Sequence, residues 1–266
     1  MEKNHYQKIF ELGKQYLLNF EEVNNDLLNK HLELGEKEKP KSINELFRRL
    51  LESLSNRRNM PQNIGDIDKL EHVLHSFNPK RIVEEYGDSW KILFQRIKNE
   101  CNPKGKMVLT KKNSYWTIFC KGTVSGAKFL SQFSSFDEFN EFVNLFYFNE
   151  STRAALPMLI AKEVFGLGFA LACDFLKESG YTEFVKTDVH IKAIFKGLKI
   201  CRPESDDYEV FKEVVRFSKI INQQPYVVDK LFWLIGSGDF YLDEVRVKTN
   251  RNNFIKNVRK QFKQTF

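Results

Sequence analysis

The chain has 266 residues, with 42 Lys and Arg against 35 Asp and Glu, a net charge of +7 with histidine neutral, and 42% hydrophobic residues. A soluble chain of this length buries roughly three quarters of the surface it exposes when extended, so one large domain or two lobes are expected and a disordered chain is not. The longest apolar stretch, Val164 to Cys173, is about half of what a bilayer crossing needs, and Met1-Glu2-Lys3-Asn4-His5 lacks a signal peptide's apolar core; a cytoplasmic location is expected.

In chain order, the first strong periodicity is helical. Phe47, Leu50, Leu51 and Leu54 fall at i, i+3, i+4 and i+7, behind a capping box at Ser42-Ile43-Asn44-Glu45. Asn56-Arg57-Arg58-Asn59 follows as a polar helix end. Breaks at Met60-Pro61-Gln62-Asn63-Ile64-Gly65, Asn78-Pro79-Lys80 and Asn102-Pro103-Lys104-Gly105 separate helices rather than domains. His72 and His75 are three apart and could share a metal, but no third ligand lies nearby, so surface histidines are expected. The helical spacing returns at Trp90, Leu93, Phe94, Ile97, and at Phe139, Phe142, Val143, Phe146 behind a second box, Ser135-Phe136-Asp137-Glu138. Met107 to Thr123 has β-favouring residues, yet Trp116, Phe119, Thr123, Ala127 and Leu130 fit one helical face, and it is read as helix. Four cysteines, Cys101, Cys120, Cys173 and Cys201, form no C-x-x-C pair, so reduced thiols are expected, with no zinc ribbon, no iron–sulfur cluster and no cofactor.

Leu156, Ile160 and Val164, then Gly166-Leu167-Gly168, then Phe169, Ala172, Phe175 and Leu176 describe two helices joined by a very tight turn. Two glycines there let the backbone approach another object and turn the first amides of the second helix outward, a ready phosphate site; an ordinary helical hairpin has the same pattern. A dinucleotide fingerprint fails, because Leu171 stands where the third glycine belongs. Twenty residues past Gly168, Thr187-Asp188-Val189-His190 precedes a helix with Ile191, Ile194, Phe195 and Leu198 on one face. Met alone, such an Asp is an N-cap.

Together, Phe165-Gly166-Leu167-Gly168-Phe169-Ala170-Leu171-Ala172 and Asp188-Val189-His190 resemble the helix-hairpin-helix (HhH-GPD) DNA glycosylase superfamily, which includes endonuclease III and the 8-oxoguanine glycosylases. The resemblance implies an all-α fold of two helical lobes with a DNA-binding cleft between them. It implies backbone binding by Gly166, Leu167, Gly168 and Ala170, and catalysis by Asp188. Residues 62–182 would form the lobe ending in the hairpin, with 1–61 and 183–266 forming the other. Members that also cut the strand carry a lysine where this chain has Ala170, and some carry a cysteine cluster that is missing here. The expected activity is therefore that of a monofunctional, monomeric glycosylase acting on duplex DNA with a damaged or mismatched base, flipping it out for hydrolysis. The alternatives are a non-catalytic DNA-binding relative, or a glycosylase/lyase using a lysine outside the motif, such as Lys186.

Arg246 to Lys263 holds seven basic residues, among them Arg259 and Lys260, which read either as a solvated helix face or as a backbone-contacting strip. Arg57 and Arg58 are candidates for entering the gap that a flipped base leaves.

Overall fold

The computed structural model describes residues 2–33, 39–57 and 60–263. It is all-α. Contacts divide the chain into two units, Met1–Lys37 with Tyr181–Phe266, and Glu38–Gly180. Helices α1 (Glu2–Leu18) and α2 (Asn25–Leu32) open the first unit. The second holds α3 (Ile43–Ser55), α4 (Met60–Ile64), α5 (Pro79–Tyr86), α6 (Trp90–Glu100), α7 (Tyr115–Leu130), α8 (Phe136–Asn144), α9 (Glu150–Glu163) and α10 (Phe169–Glu178). The chain then completes the first unit with α11 (Val189–Gly197), α12 (Asp207–Ile220), α13 (Pro225–Ser237) and α14 (Arg251–Lys263).

In the Glu38–Gly180 unit, α7 is the central helix, packed against α3, α5 and α6. Its Trp116, Phe119, Ala127 and Leu130 are buried, as a single helical face requires; the helix expected from Met107 starts only at Tyr115, and Met107 to Ser114 forms turns before it. Each buried ring or leucine contributes about 1.5–3 kcal/mol of hydrophobic stabilisation. The expected boundary after residue 61 puts α3 with the other unit; its Phe47, Leu50 and Leu54 instead pack against α7 and α10, and the division falls before it.

Local capping sets the helix starts. Ser42 Oγ accepts from Glu45 N–H at 3.2 Å and Ser135 Oγ from Glu138 N–H at 3.2 Å. The two glutamates reach one residue further back than a capping box demands: Glu45 accepts from Lys41 N–H at 2.9 Å and Glu138 from Ser134 N–H at 2.6 Å. Reciprocal boxes form at Asn149–Thr152 and Asp206–Glu209.

In the other unit, α13 packs against α1, α11 and α12. Phe195, Phe217, Phe232 and Phe254 meet there with centroids 5.5–6.3 Å apart, the spacing at which tilted and edge-to-face rings attract. After α13 the chain makes a two-residue antiparallel ladder, Asp239–Phe240 with Val245–Arg246. The basic stretch read from Arg246 therefore begins in an extended segment, and only its part from Arg251 is helical.

Candidate functional site

The turn between α9 and α10 is fixed by its first glycine and open at its second. Val164 leaves the helix at φ −106°, ψ 110° while its N–H still bonds the Ile160 carbonyl at 2.9 Å. Gly166 lies at φ +83°, and a Cβ there would stand 2.7 Å from Ile118 Cγ2, so both conformation and space demand glycine. Leu167 N–H closes the turn on the Val164 carbonyl at 3.2 Å, and its side chain is buried. Gly168 is the N-cap of α10 without a capping side chain, its carbonyl accepting from Leu171 and Ala172 N–H. A Cβ on Gly168 would meet nothing within 4 Å. The N–H groups of Gly168 and Ala170 make no hydrogen bond among the described residues. Two open amides thus sit at the positive end of α10, the arrangement that attracts an anionic oxygen.

The support beneath this turn comes from α7. Gly122 has no room for a side chain, since a Cβ would lie 2.7 Å from the Phe165 carbonyl oxygen and 2.4 Å from Leu54 Cδ2; at Gly126 it would lie 2.9 Å from Leu50 Cδ2. Phe165 N–H donates to Ser125 Oγ at 2.8 Å. The exposed Phe165 ring and Trp90 both face Lys121 Nζ, at 4.9 and 5.1 Å, which holds a cation beside the turn. Gly122, Gly126, Ser125 and Lys121 were not singled out from the sequence; the Gly-x-x-x-Gly spacing inside a helix, which marks a close approach, was the available signal.

Arg57, expected as a separate element, is part of the turn, because its Nη1 donates to the Gly166 carbonyl at 3.3 Å. Arg58 lies outside the described residues.

In the other unit, Asp188 caps α11. Its Oδ1 accepts from His190 N–H at 2.8 Å and Ile191 N–H at 3.1 Å. Its Oδ2 accepts from nothing among the described residues, and the neighbouring Val189 is exposed. The residues around it fix this helix start. His190 Nδ1 faces Arg251 Nη1 at 3.2 Å, with the arginine as donor. The His190 ring occupies the space a side chain at Gly236 would fill, with Cβ only 2.4 Å from His190 Cβ. Lys192 pairs with Asp207 at 2.7 Å. The sequence showed Arg251 only as one of the seven basic residues of the C-terminal stretch, and Gly236, a glycine inside the apolar α13, was not singled out. The result is a carboxylate immobilised through one oxygen and free at the other, able to accept a proton or face a developing positive charge.

Lys186, two residues before Asp188, is half-buried. Arg259 and Lys260 are exposed on α14, whose Phe254, Ile255 and Val258 are buried against the rest of their unit. His72 and His75 do not converge: His72 Nε2 lies 3.8 Å from Glu100 Oε2, and His75 meets Glu85. Among the described residues no group of three or more His, Cys, Asp or Glu is placed to hold a metal, and none of the helices is long and apolar enough to cross a membrane.

No protein-family model and no curated protein matches the sequence. Among solved structures, the crystal structure of the Methanocaldococcus jannaschii 8-oxoguanine glycosylase/lyase in complex with a 15mer DNA containing 8-oxoguanine is similar at 17% identity, with a TM-score of 0.49, over 91% of this chain and 100% of that one.

Proposed function

We propose that the protein is a monofunctional DNA glycosylase of base-excision repair, acting as a monomer without a cofactor on duplex DNA that carries a damaged or mismatched base. One observation carries the reading: the two elements of the motif both end in open hydrogen-bonding groups, the amides of Gly168 and Ala170 and the Oδ2 of Asp188. Main-chain amides hold a backbone phosphate without reading sequence. Arg57 and Lys121 beside the turn, with Arg259 and Lys260 on α14, add cationic surface for the phosphates.

A base inside a duplex is out of reach of a carboxylate, so the nucleotide must rotate out of the stack first. Cleavage of the N-glycosidic bond sends its electron pair to the base and leaves positive charge on the sugar. Asp188 stabilises that charge through Oδ2 and takes the proton of the water that adds to the sugar carbon. The hydrogen bonds to Oδ1 hold the side chain in one position, so no rotamer freedom has to be lost as the charge develops. Ala170 has no amine to attack the sugar, so water is the nucleophile and an intact abasic strand is the product.

The non-catalytic alternative has its own support, since the Oδ1 contacts alone satisfy an N-cap role. The experiment that separates the two is incubation with a panel of damaged-base and mismatched duplexes followed by alkali. Alkali-labile sites formed by the parent protein and not by Asp188→Asn support the glycosylase. Duplex binding without alkali-labile sites across the panel supports the DNA-binding relative.

A further inference from the structure

A concavity of about 780 Å³ lies inside the unit of Met1–Lys37 and Tyr181–Phe266, bounded by α1, the end of α11 and α14. Four of its lining residues are the cations Lys199, Lys256, Arg259 and Lys260, and no Asp or Glu among the described residues lines it. None of the four forms an ion pair among the described residues. Like charges gathered around one hollow repel, and an anion in the hollow converts that repulsion into attraction.

The remaining walls are not polar. Ile9, Leu198 and Val258 give an apolar floor, and beside them the His5 and Phe262 rings lie tilted at 37° with centroids 4.1 Å apart, Lys8 Nζ standing 5.2 Å from the Phe262 centroid. Burial, and then the charge of Lys8, push the His5 imidazole below its ordinary value, so at neutral pH it is a flat neutral ring rather than a fifth cation. Lys199 sits at φ +60°, a left-handed conformation unusual for lysine, with its N–H on the Lys196 carbonyl at 3.1 Å. It is the residue after the C-cap of α11, where the Ile200 N–H closes back on the Phe195 carbonyl at 3.0 Å.

We propose that this concavity binds a nucleoside phosphate, with the phosphate oxygens on Lys199, Lys256, Arg259 and Lys260 and the planar base between the apolar floor and the His5–Phe262 rings. The four cations supply charge for more than one phosphate group. The rings supply a stacking surface that tolerates any base. The site uses neither the hairpin amides nor Asp188, and shares Arg259 and Lys260 with the cationic surface proposed for DNA.

Calorimetric titration of the full chain with ATP, inorganic triphosphate, adenosine and a short single-stranded oligonucleotide tests this at low salt. ATP should bind saturably, triphosphate about tenfold more weakly for loss of the ring contact, and adenosine not measurably. Replacing Lys199→Asn, which keeps the left-handed backbone accessible, together with Lys256→Gln should weaken ATP about tenfold or more at an unchanged urea midpoint. Phe262→Ala should weaken ATP and leave triphosphate unchanged. Absence of saturable ATP binding, ATP binding indifferent to the double substitution, or binding of the oligonucleotide alone would each overturn the proposal. Gly168→Glu should retain ATP affinity while losing duplex DNA, so failure of the DNA reading and failure of this site give different results.

Discussion

Replacing Gly166 by alanine separates the mechanical from the binding role of the hairpin glycines. At φ +83° an L-residue is strained by about 1–2 kcal/mol. The new Cβ would also stand 2.7 Å from Ile118 Cγ2, 3.4 Å from Leu54 Cδ1 and 3.5 Å from Arg57 Nη1. Ile118 is β-branched and sits on α7, so its χ1 is nearly fixed and it cannot swing aside. Neither can α7 retreat, because Gly122 and Gly126 already bring it against Leu54 and Leu50. Relieving such an overlap by backbone movement costs about 1–3 kcal/mol, so the total loss should be about 2–5 kcal/mol. Gly168→Ala is the control: its φ of −73° suits any residue and its Cβ enters open space, so stability should change by no more than about 0.5 kcal/mol. Urea unfolding followed by circular dichroism, extrapolated linearly to water, measures both variants. Duplex binding should fall in Gly166→Ala, because shifting the turn moves the Gly168 and Ala170 amides and breaks the Arg57 contact. If Gly166→Ala proved as stable as the parent, or Gly168→Ala the more damaging, the account of the turn would be wrong.

Asp188→Asn keeps an oxygen to accept from His190 and Ile191 N–H but removes the charge, so base excision should fall by orders of magnitude while DNA binding and the urea midpoint stay close to the parent; full activity in this variant leaves Asp188 an N-cap only. Borohydride treatment during turnover should trap no covalent protein–DNA adduct, and an adduct that disappears in Lys186→Ala would assign that lysine lyase chemistry. Binding of undamaged duplex should be independent of sequence and weaken steeply with salt, and an affinity unmoved by salt would remove the phosphate-contact argument. Acid should destabilise the fold: Glu45 is held below its ordinary carboxylate value by the Lys41 N–H and then Arg49, Asp68 by Arg48, Glu138 by Ser134, and Glu209 by Ser205 and Arg202. The unfolded chain therefore takes up more protons as the pH falls through the carboxylate range, and the urea midpoint should drop between about pH 7 and about pH 4, less so in Glu45→Gln; a midpoint that rose would contradict these contacts.

Much of this protein is decided within a few residues of chain. Ser42, Ser135 and Asp188 start helices because a side-chain oxygen reaches an amide two or three positions ahead, and that reach is the same in any fold. The apolar stripes of α3, α6 and α11 and the glycine turn before α10 are local in the same sense, so the helical class and both halves of the motif were legible in the sequence. What was not legible depends on partners distant along the chain. Arg57 becomes part of the hairpin only because the end of α3 is brought to Gly166, more than a hundred residues away in sequence. His75, Ser76 and Phe77 all take positive φ, with no glycine to ask for it, because contacts from elsewhere hold them: Asn44 on the Ser76 carbonyl, Glu85 on His75, and burial of the Phe77 ring. His190 reads in sequence as one letter of a motif, yet its ring is oriented by Arg251 and by the space left at Gly236. The basic residues of α14 are visible as a charge run, but only the packing of α14 against α1 and α11 gathers three of them with Lys199 around a hollow, because concavity belongs to the surface that several helices make together and to no single segment.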